Sequence, residues 1–177
     1  MTQAILARVL GVLEARGARP ALIGGMALAA HGIGRATQDF DILVLDASVL
    51  TDQPWSSLRE SGLTVDVRRG DAADPLAGVV RISGGSEPAV DVIVGRHSWQ
   101  SGVLERRQTL RLGDLPVPVV DAADLVLLKL DADGPQDRLD IRLLLRGPGG
   151  AALRAEVDRR LVPLPKPLRD AWSTLEP

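Results

Sequence analysis

The sequence predicts an α/β or α+β fold: a core over residues 1–120, and a C-terminal helical segment over residues 121–177 packed on that core. Short apolar strands alternate with helical segments as far as Val120, after which the apolar residues recur at helical spacing only. This order of elements is typical of a mixed β-sheet flanked by helices, with further helices added once the sheet is complete.

Length and composition limit the classes of protein that this chain can belong to. A chain of 177 residues with 45% hydrophobic residues favours one domain with a real core. The net charge of −2 predicts no general attraction to nucleic acid. The absence of cysteine excludes disulfides, thiolate metal sites and cysteine nucleophiles. Since there is neither a signal-peptide pattern nor a run of about 18 apolar residues, we expect a cytoplasmic protein that does not contact a membrane.

The N-terminal elements follow from periodicity and from glycine positions. Residues 2–16 have the apolar spacing of a helix, which Gly17 ends. A short strand, Ala21–Ile23, comes next. It runs into a Gly24-Gly25 turn and a helix of small residues that reaches about His31. Glycines in such a turn allow the backbone to approach an anion closely, although a Gly-Gly turn is more often only a tight strand-to-helix corner.

The second strand carries two aspartates, Asp39 and Asp41. Because side chains alternate between the faces of a strand, both carboxylates point the same way, about 6.6 Å apart at ~3.3 Å per residue. Three residues point the other way and are predicted core: Phe40, Ile42 and Val44. Two acids aimed at a glycine turn suggest a metal and phosphate site, whereas a solvated strand end is the simpler alternative.

The remaining elements are predicted from alternation, turn residues and caps. The core strands are predicted at residues 63–69, 77–83, 89–94, 109–112 and 117–120, with a short helix at residues 54–60. In the tail, Asp121 starts a helix that ends near residues 131–135, and a second helix runs to about Arg146. The run 147–150 is the clearest linker, and two more helices follow it.

A third aspartate strengthens the metal interpretation. Asp91 interrupts the apolar strand Val90–Val94, where a buried carboxylate is unfavourable without a partner. Three aspartates on neighbouring strands could hold two Mg²⁺ ions ~3.5–4 Å apart, an arrangement used for in-line phosphoryl transfer. Carboxylate oxygens are hard ligands that suit Mg²⁺. The glycine turn matches neither the dinucleotide fingerprint nor the Walker pattern.

These motifs together resemble a known family. The Gly24-Gly25 pair, the Asp39–Asp41 triplet and the later Val90–Val92 strand are similar to the nucleotidyltransferase fold of the DNA polymerase beta superfamily. The resemblance implies that Gly24 and Gly25 cradle the nucleoside triphosphate and that Asp39 and Asp41 bind two metal ions. It also implies that Asp91 helps to ligate one ion and prepares the acceptor hydroxyl.

The stretch from Val120 to Leu144 carries a second resemblance, to the helical segment of small bacterial toxin-type and abortive-infection-type nucleotidyltransferases. It implies that Lys129 faces the nucleotide phosphates and that Asp137 and Asp140 lie near the site. From the residues alone, Lys129 could instead reach out to water, and the two acids could belong to a surface salt-bridge ladder.

Arg35 precedes the first acid by four residues. It is a further candidate for binding the triphosphate, or it could simply pair with Asp39.

The implied reaction is transfer of a nucleoside monophosphate from an NTP to a hydroxyl acceptor, with release of pyrophosphate. The acceptor stays open. It could be RNA such as a tRNA end, in which case an antitoxin is a possible partner. It could also be a small molecule, as in the antibiotic-modifying branch, or a protein hydroxyl. The alternative to an enzyme is a catalytically silent binding module. RNA would require a basic rim, and the tail offers five candidates for it: Arg154, Arg159, Arg160, Lys166 and Arg169.

Overall fold

A computed structural model describes residues 3–34, 37 and 39–175, and in these residues one mixed sheet of seven strands forms the centre of the molecule. The strands are β1 (Ala21–Ile23), β2 (Phe40–Val44), β3 (Thr64–Arg69), β4 (Leu76–Ser83), β5 (Val90–Gly95), β6 (Gln108–Leu112) and β7 (Leu115–Val119). Their order across the sheet is β3-β4-β5-β2-β1-β7-β6. The pairs β2·β5 and β1·β7 are parallel, and the other pairs are antiparallel. The α/β fold class with a mixed sheet is therefore confirmed.

Helices flank the sheet and continue after it ends. They are α1 (Ala4–Ala15), α2 (Gly24–Ala30), α3 (Ser56–Glu60), α4 (Gln100–Glu105), α5 (Ala122–Ala132), α6 (Pro135–Arg146), α7 (Gly150–Leu161) and α8 (Lys166–Ser173). The sequence patterns did not predict α4, a helix of only six residues. Helix α5 contacts α6, α7 and α8, so the helices after the sheet form one packed group. Within the described ranges, none of the helices has the length and apolar character required to cross a membrane.

The predicted apolar faces meet at the centre of the sheet. In the parallel pair β2·β5, Phe40 lies beside Val90, and the following alternate residues pair in the same way down to Val44 and Val94. These side chains are buried, and α1 contacts β5. The apolar residues predicted for α1 are buried as well: Ile5, Leu6, Val9, Leu10 and Leu13. Because side chains alternate, burial of this face leaves Asp41 and Asp91 on the opposite face.

A buried ion-pair network connects the helical tail to the sheet. Asp121 caps α5 as predicted, since its side chain accepts a hydrogen bond from the Asp124 backbone at 2.8 Å. The fully buried Asp124 carboxylate accepts two bonds from Arg106, at 2.8 and 2.9 Å, and contacts Arg160 of α7 at 2.8 Å. One carboxylate thus holds together α5, α7 and the segment before β6.

We expect the Asp124→Asn substitution to lower the free energy of unfolding by about 2–3 kcal/mol, because it removes the buried counter-charge of Arg106 and one of the three acids that contact Arg160. Urea denaturation at pH 7 measures this loss. The control is Asp52→Ala, which breaks an exposed pair with Arg59 at 2.7 Å and should cost less than about 1 kcal/mol. Equal losses for the two variants would contradict a supporting role for the buried network.

Candidate active site

Two of the predicted aspartates lie side by side in the sheet. Asp41 of β2 and Asp91 of β5 are partners in the parallel register, so their side chains leave the same face of the sheet. Asp39 lies one residue before β2, which begins at Phe40 with a backbone hydrogen bond to Ala89 at 2.9 Å. The sequence interpretation placed Asp39 within the strand, whereas the structure places it in the bend that leads into it.

Gly24 brings the start of α2 against Asp41. Strand β1 runs antiparallel to β2 with Ile23 opposite Asp41, so the next residue reaches the carboxylate. Gly24 has a φ of +65°, and a Cβ atom there would overlap the Asp41 carboxylate and lie 3.1 Å from its Cβ. At Gly25, a Cβ would lie 3.0 Å from the side chain of Thr37. The absence of a side chain at Gly24 is therefore what lets the helix begin beside the acid.

Arg81 of β4 joins two of the acids. It is the cross-strand partner of Asp91, and its Nη1 donates a hydrogen bond to Asp91 Oδ2 at 2.6 Å. Its Nη2 donates to Asp39 Oδ2 at 2.9 Å. The bond to Asp39 and the charge of Asp91 raise the pKa of Arg81 above its ordinary value. Sequence reasoning missed this residue; the available signal was an arginine within an otherwise apolar strand.

Asp91 combines burial with an unused oxygen. Its side chain is 19% exposed, and its Oδ1 atom is buried without a hydrogen-bond partner among the described residues. Burial raises the pKa of Asp91, an effect that the guanidinium of Arg81 partly offsets. A buried carboxylate oxygen with no donor is unfavourable unless a cation or another donor reaches it.

This donor set fits a hard divalent cation, because it offers carboxylate oxygens on adjacent strands with one of them unsatisfied. Within the described ranges, no three acidic or histidine side chains are already placed to hold a metal ion together. Arg81 stands between Asp39 and Asp91, at a position where a bridging cation would compete with it for the same oxygens.

A cavity of about 470 Å³ opens beside the acids on the outer part of the sheet. Arg81 and Asp91 form part of its wall. Its other charged lining residues come from β3 and the β3–β4 connection: Asp66, Arg68, Arg69 and Asp74. Arg68 pairs with Asp66 at 2.7 Å, so the lining presents both signs of charge rather than a basic surface. A cavity of this volume suits a small molecule.

Lys129 belongs to a second cluster of charges, between α5 and α6. Its side chain is 6% exposed, and its ammonium donates to Asp137 at 3.0 Å and to Asp140 at 2.6 Å. The fully buried Asp140 also accepts a bond from Gln136 at 2.9 Å. The two acids are therefore partners of Lys129 across a helix–helix contact rather than rungs of a surface ladder. Arg35 lies outside the described residues.

The five basic tail residues proposed as an RNA-binding rim all have partners within the protein. Three of them pair with acids: Arg160 with acids of α5 and α7, Arg159 with Glu156, and Lys166 with Asp170. Arg169 donates to the backbone carbonyls of Val162 and Leu164. Arg154 lies over the ring of Trp172. Acidic partners therefore partly neutralise three of these charges, and contacts with the protein itself orient the other two side chains.

No protein-family model matches the sequence, and no curated protein matches it either. Solved structures do share its architecture. The chain aligns over 90% of its length with 98% of ANT(2")-Ia, solved in complex with adenylyl-2"-tobramycin, at a TM-score of 0.54 and 15% identity. The chain has the nucleotidyltransferase fold.

Two further structures support this nucleotidyltransferase fold. The lincosamide antibiotic adenylyltransferase LnuA, with lincomycin bound, matches 82% of this chain over 98% of its own at a TM-score of 0.53 and 16% identity. An antigenic nucleotidyltransferase-like protein from Paracoccidioides brasiliensis matches 98% of this chain over 86% of its own at a TM-score of 0.50 and 14% identity. At these identities the likeness establishes the fold, and the chemistry has to be argued from the residues.

We expect Gly24→Ala to destabilise the protein more than Gly85→Ala does. Both glycines have a positive φ, so alanine adds backbone strain of about 1–2 kcal/mol at either position. Nothing lies within 4 Å of a Cβ at Gly85, whereas at Gly24 the Asp41 side chain must also move, adding about 1–3 kcal/mol. Thermal and urea denaturation measure the difference. Equal destabilisation would show that Asp41 accommodates the methyl group freely.

We expect Asp91→Asn to stabilise the metal-free protein at pH 7. The pKa of Asp91 is raised on folding, so its stabilising contribution is present below the ordinary aspartate pKa and is lost as the pH rises through the folded value. The neutral amide of Asn does not ionise and so avoids that loss. The difference in stability between Asp91→Asn and the wild type should shrink as the pH falls below about 4. Melting curves in EDTA between pH 3 and 8 test this, with Asp66→Asn as control. A lower melting temperature for Asp91→Asn at pH 7 would contradict the sign.

Proposed function

We propose that this protein transfers a nucleoside monophosphate from an NTP to a hydroxyl acceptor and releases pyrophosphate. The observation that carries the proposal is the position of Asp41 and Asp91, in register on one face of the sheet beside the glycine that opens α2. Asp39, at the entry to β2, adds a third carboxylate that shares the Arg81 guanidinium with Asp91. The nucleotidyltransferase fold supports this chemistry.

Asp39, Asp41 and Asp91 are the residues that would hold two Mg²⁺ ions. The unpaired Oδ1 atom of Asp91 supports this assignment, since a buried carboxylate oxygen gains most from a cation. Bound Mg²⁺ would supply charge stabilisation for the phosphoryl oxygens and orient the attacking and leaving groups. The protein's own role is to hold the carboxylates in a fixed arrangement. For Asp41 and Asp91, the register of β2 and β5 does so.

The triphosphate is proposed to lie against the Gly24-Gly25 backbone. This proposal rests on the family resemblance; the space beside the two glycines holds the side chains of Asp41 and Thr37, so the glycines bring the start of α2 next to the acids. A role for Lys129 at the phosphates stays a prediction, and it requires the ammonium to leave one of its two carboxylate partners. The same role for Arg35 is likewise a prediction.

For the acceptor, we favour a small hydroxylated molecule over RNA. The cavity beside Asp91 has a volume typical of small-ligand sites, and its lining carries arginines and aspartates together. Sugar-like or amino-substituted acceptors present hydroxyl and charged groups that such a mixed lining can bind. The structures of ANT(2")-Ia and LnuA were solved with antibiotic-derived molecules, and this chain covers 98% of each.

An RNA acceptor is less favoured because binding of a phosphate backbone requires accessible basic groups. Of the five basic residues of the tail, Arg160 is mostly buried against acids, and the other four are paired with acids, carbonyls or an aromatic ring of the protein itself. The net charge of −2 acts in the same direction. The toxin-type interpretation with an antitoxin partner therefore has less support than the small-molecule alternative.

The experiment is an incubation of the full chain with Mg²⁺ and each of the four α-³²P-labelled NTPs. Each reaction receives aminoglycosides and lincosamides, total RNA, or a bacterial protein extract. We expect label on a small molecule, and we expect Asp41→Asn to reduce it at least about 100-fold, because the loss of a metal ligand removes several kcal/mol of charge stabilisation.

The control variant is Asp114→Asn, which alters a fully exposed aspartate in the β6–β7 hairpin and should keep full activity. Labelled RNA or labelled protein would keep nucleotidyl transfer and overturn the small-molecule acceptor. No label with any NTP and any acceptor would favour the catalytically silent module. Full activity of Asp41→Asn would refute the role of the acids in metal binding.

A further inference from the structure

Arg81 occupies one oxygen of each of two carboxylates in the proposed metal site. One guanidinium nitrogen lies 2.6 Å from Asp91 Oδ2, and another lies 2.9 Å from Asp39 Oδ2. Both bonds are charge-assisted, which places them among the stronger hydrogen bonds in proteins. A divalent cation that binds through either Oδ2 atom must displace the guanidinium from it, and one that binds through the unpaired Asp91 Oδ1 lies beside the positive charge of Arg81 and is repelled by it.

The arrangement shows that the carboxylates need a positive charge even without metal. Asp39 and Asp91 each accept a hydrogen bond from the same guanidinium, so Arg81 is the counter-charge that the two acids share. Two carboxylates that bind one guanidinium also lie close enough to repel each other. The guanidinium reduces the repulsion and keeps the two side chains pointing towards each other.

Arg81 also has room to move. Its side chain is 43% exposed, and it lies at the wall of the 470 Å³ cavity. The guanidinium can swing away from the acids into that space without disturbing the packed face of the sheet. Arg68, one strand further out, lines the same cavity but pairs with Asp66 instead.

We propose that Arg81 is an exchangeable counter-cation: it holds Asp39 and Asp91 together in the metal-free protein and competes with divalent cations for them. This inference rests on the proposed function. Metal binding and release of the guanidinium into the cavity are then one coupled event. The site remains assembled between turnovers, at the expense of weaker metal affinity.

The test is Mn²⁺ binding in the absence of nucleotide, measured from the EPR signal of free Mn²⁺. We expect Arg81→Met to lower the Kd for Mn²⁺ roughly tenfold, because the guanidinium no longer competes with the cation for the two carboxylates. Arg68→Met is the matched control: Arg68 acts on Asp91 only through its charge at a distance, so its loss should change the Kd less than threefold.

Arg81→Lys provides a variant that keeps the charge. A single ammonium cannot reproduce the fork of a guanidinium, so we expect a Kd between those of the wild type and Arg81→Met. Circular dichroism in EDTA checks that each variant is folded. If Arg81→Met is unfolded without metal, the comparison of Arg81→Lys with the wild type decides the question.

Asp41→Asn separates failure of this inference from failure of the proposed function. If the wild type binds Mn²⁺, Asp41→Asn weakens binding, and Arg81→Met binds no more tightly than Arg68→Met, only the exchange proposal is overturned. If Asp41→Asn binds Mn²⁺ as well as the wild type does, or if no variant binds Mn²⁺ at millimolar concentration, the metal site and the exchange proposal both fail.

Discussion

The candidate site depends on a balance between carboxylates that repel each other in the middle of the sheet and the arginine that joins two of them. Asp41 and Asp91 are fixed by strand register, and Asp39 enters beside them from the preceding bend. Like charges on neighbouring strands are destabilising unless a cation lies between them. In this protein Arg81 supplies that cation from the next strand, through two hydrogen bonds to different aspartates. The rest of the fold can be understood as the framework that keeps this unfavourable arrangement in place.

Packing on the opposite face of the sheet fixes the strands that carry the acids. The alternate residues of β2 and β5 are buried on the side that α1 covers, so the strands cannot rotate to move the acids apart. Gly24 brings the start of α2 against Asp41, where any side chain would collide with the carboxylate. Further away, the Asp124 network fixes the helical tail to the segment before β6. Each feature adds packing or ion pairing that offsets strain at the candidate site.

The sequence was sufficient for the fold class, for the buried face of β2 and β5, and for the aspartates that share the other face, because alternation along a strand is a local property. Arg81 was missed because its role depends on which residue of β4 lies opposite Asp91, and pairing between strands is not local. Lys129 shows the same limit. From the residues alone it could reach out to water, whereas its partners, Asp137 and Asp140, are set by how α6 packs on α5. Helix α4 was missed because six residues carry too little periodicity.

The row of charges across the outer half of the sheet has a consequence for folding. Asp66, Arg81, Asp91 and Asp41 are successive cross-strand neighbours on β3, β4, β5 and β2. Sliding β4 by two residues would keep every apolar side chain on its proper face, so burial alone cannot reject that misalignment. It would, however, place Arg81 opposite Ile93 or Ala89 and leave the acids unneutralised. The charged row therefore specifies the strand register. It selects the native pairing among alternatives that the apolar core tolerates equally well.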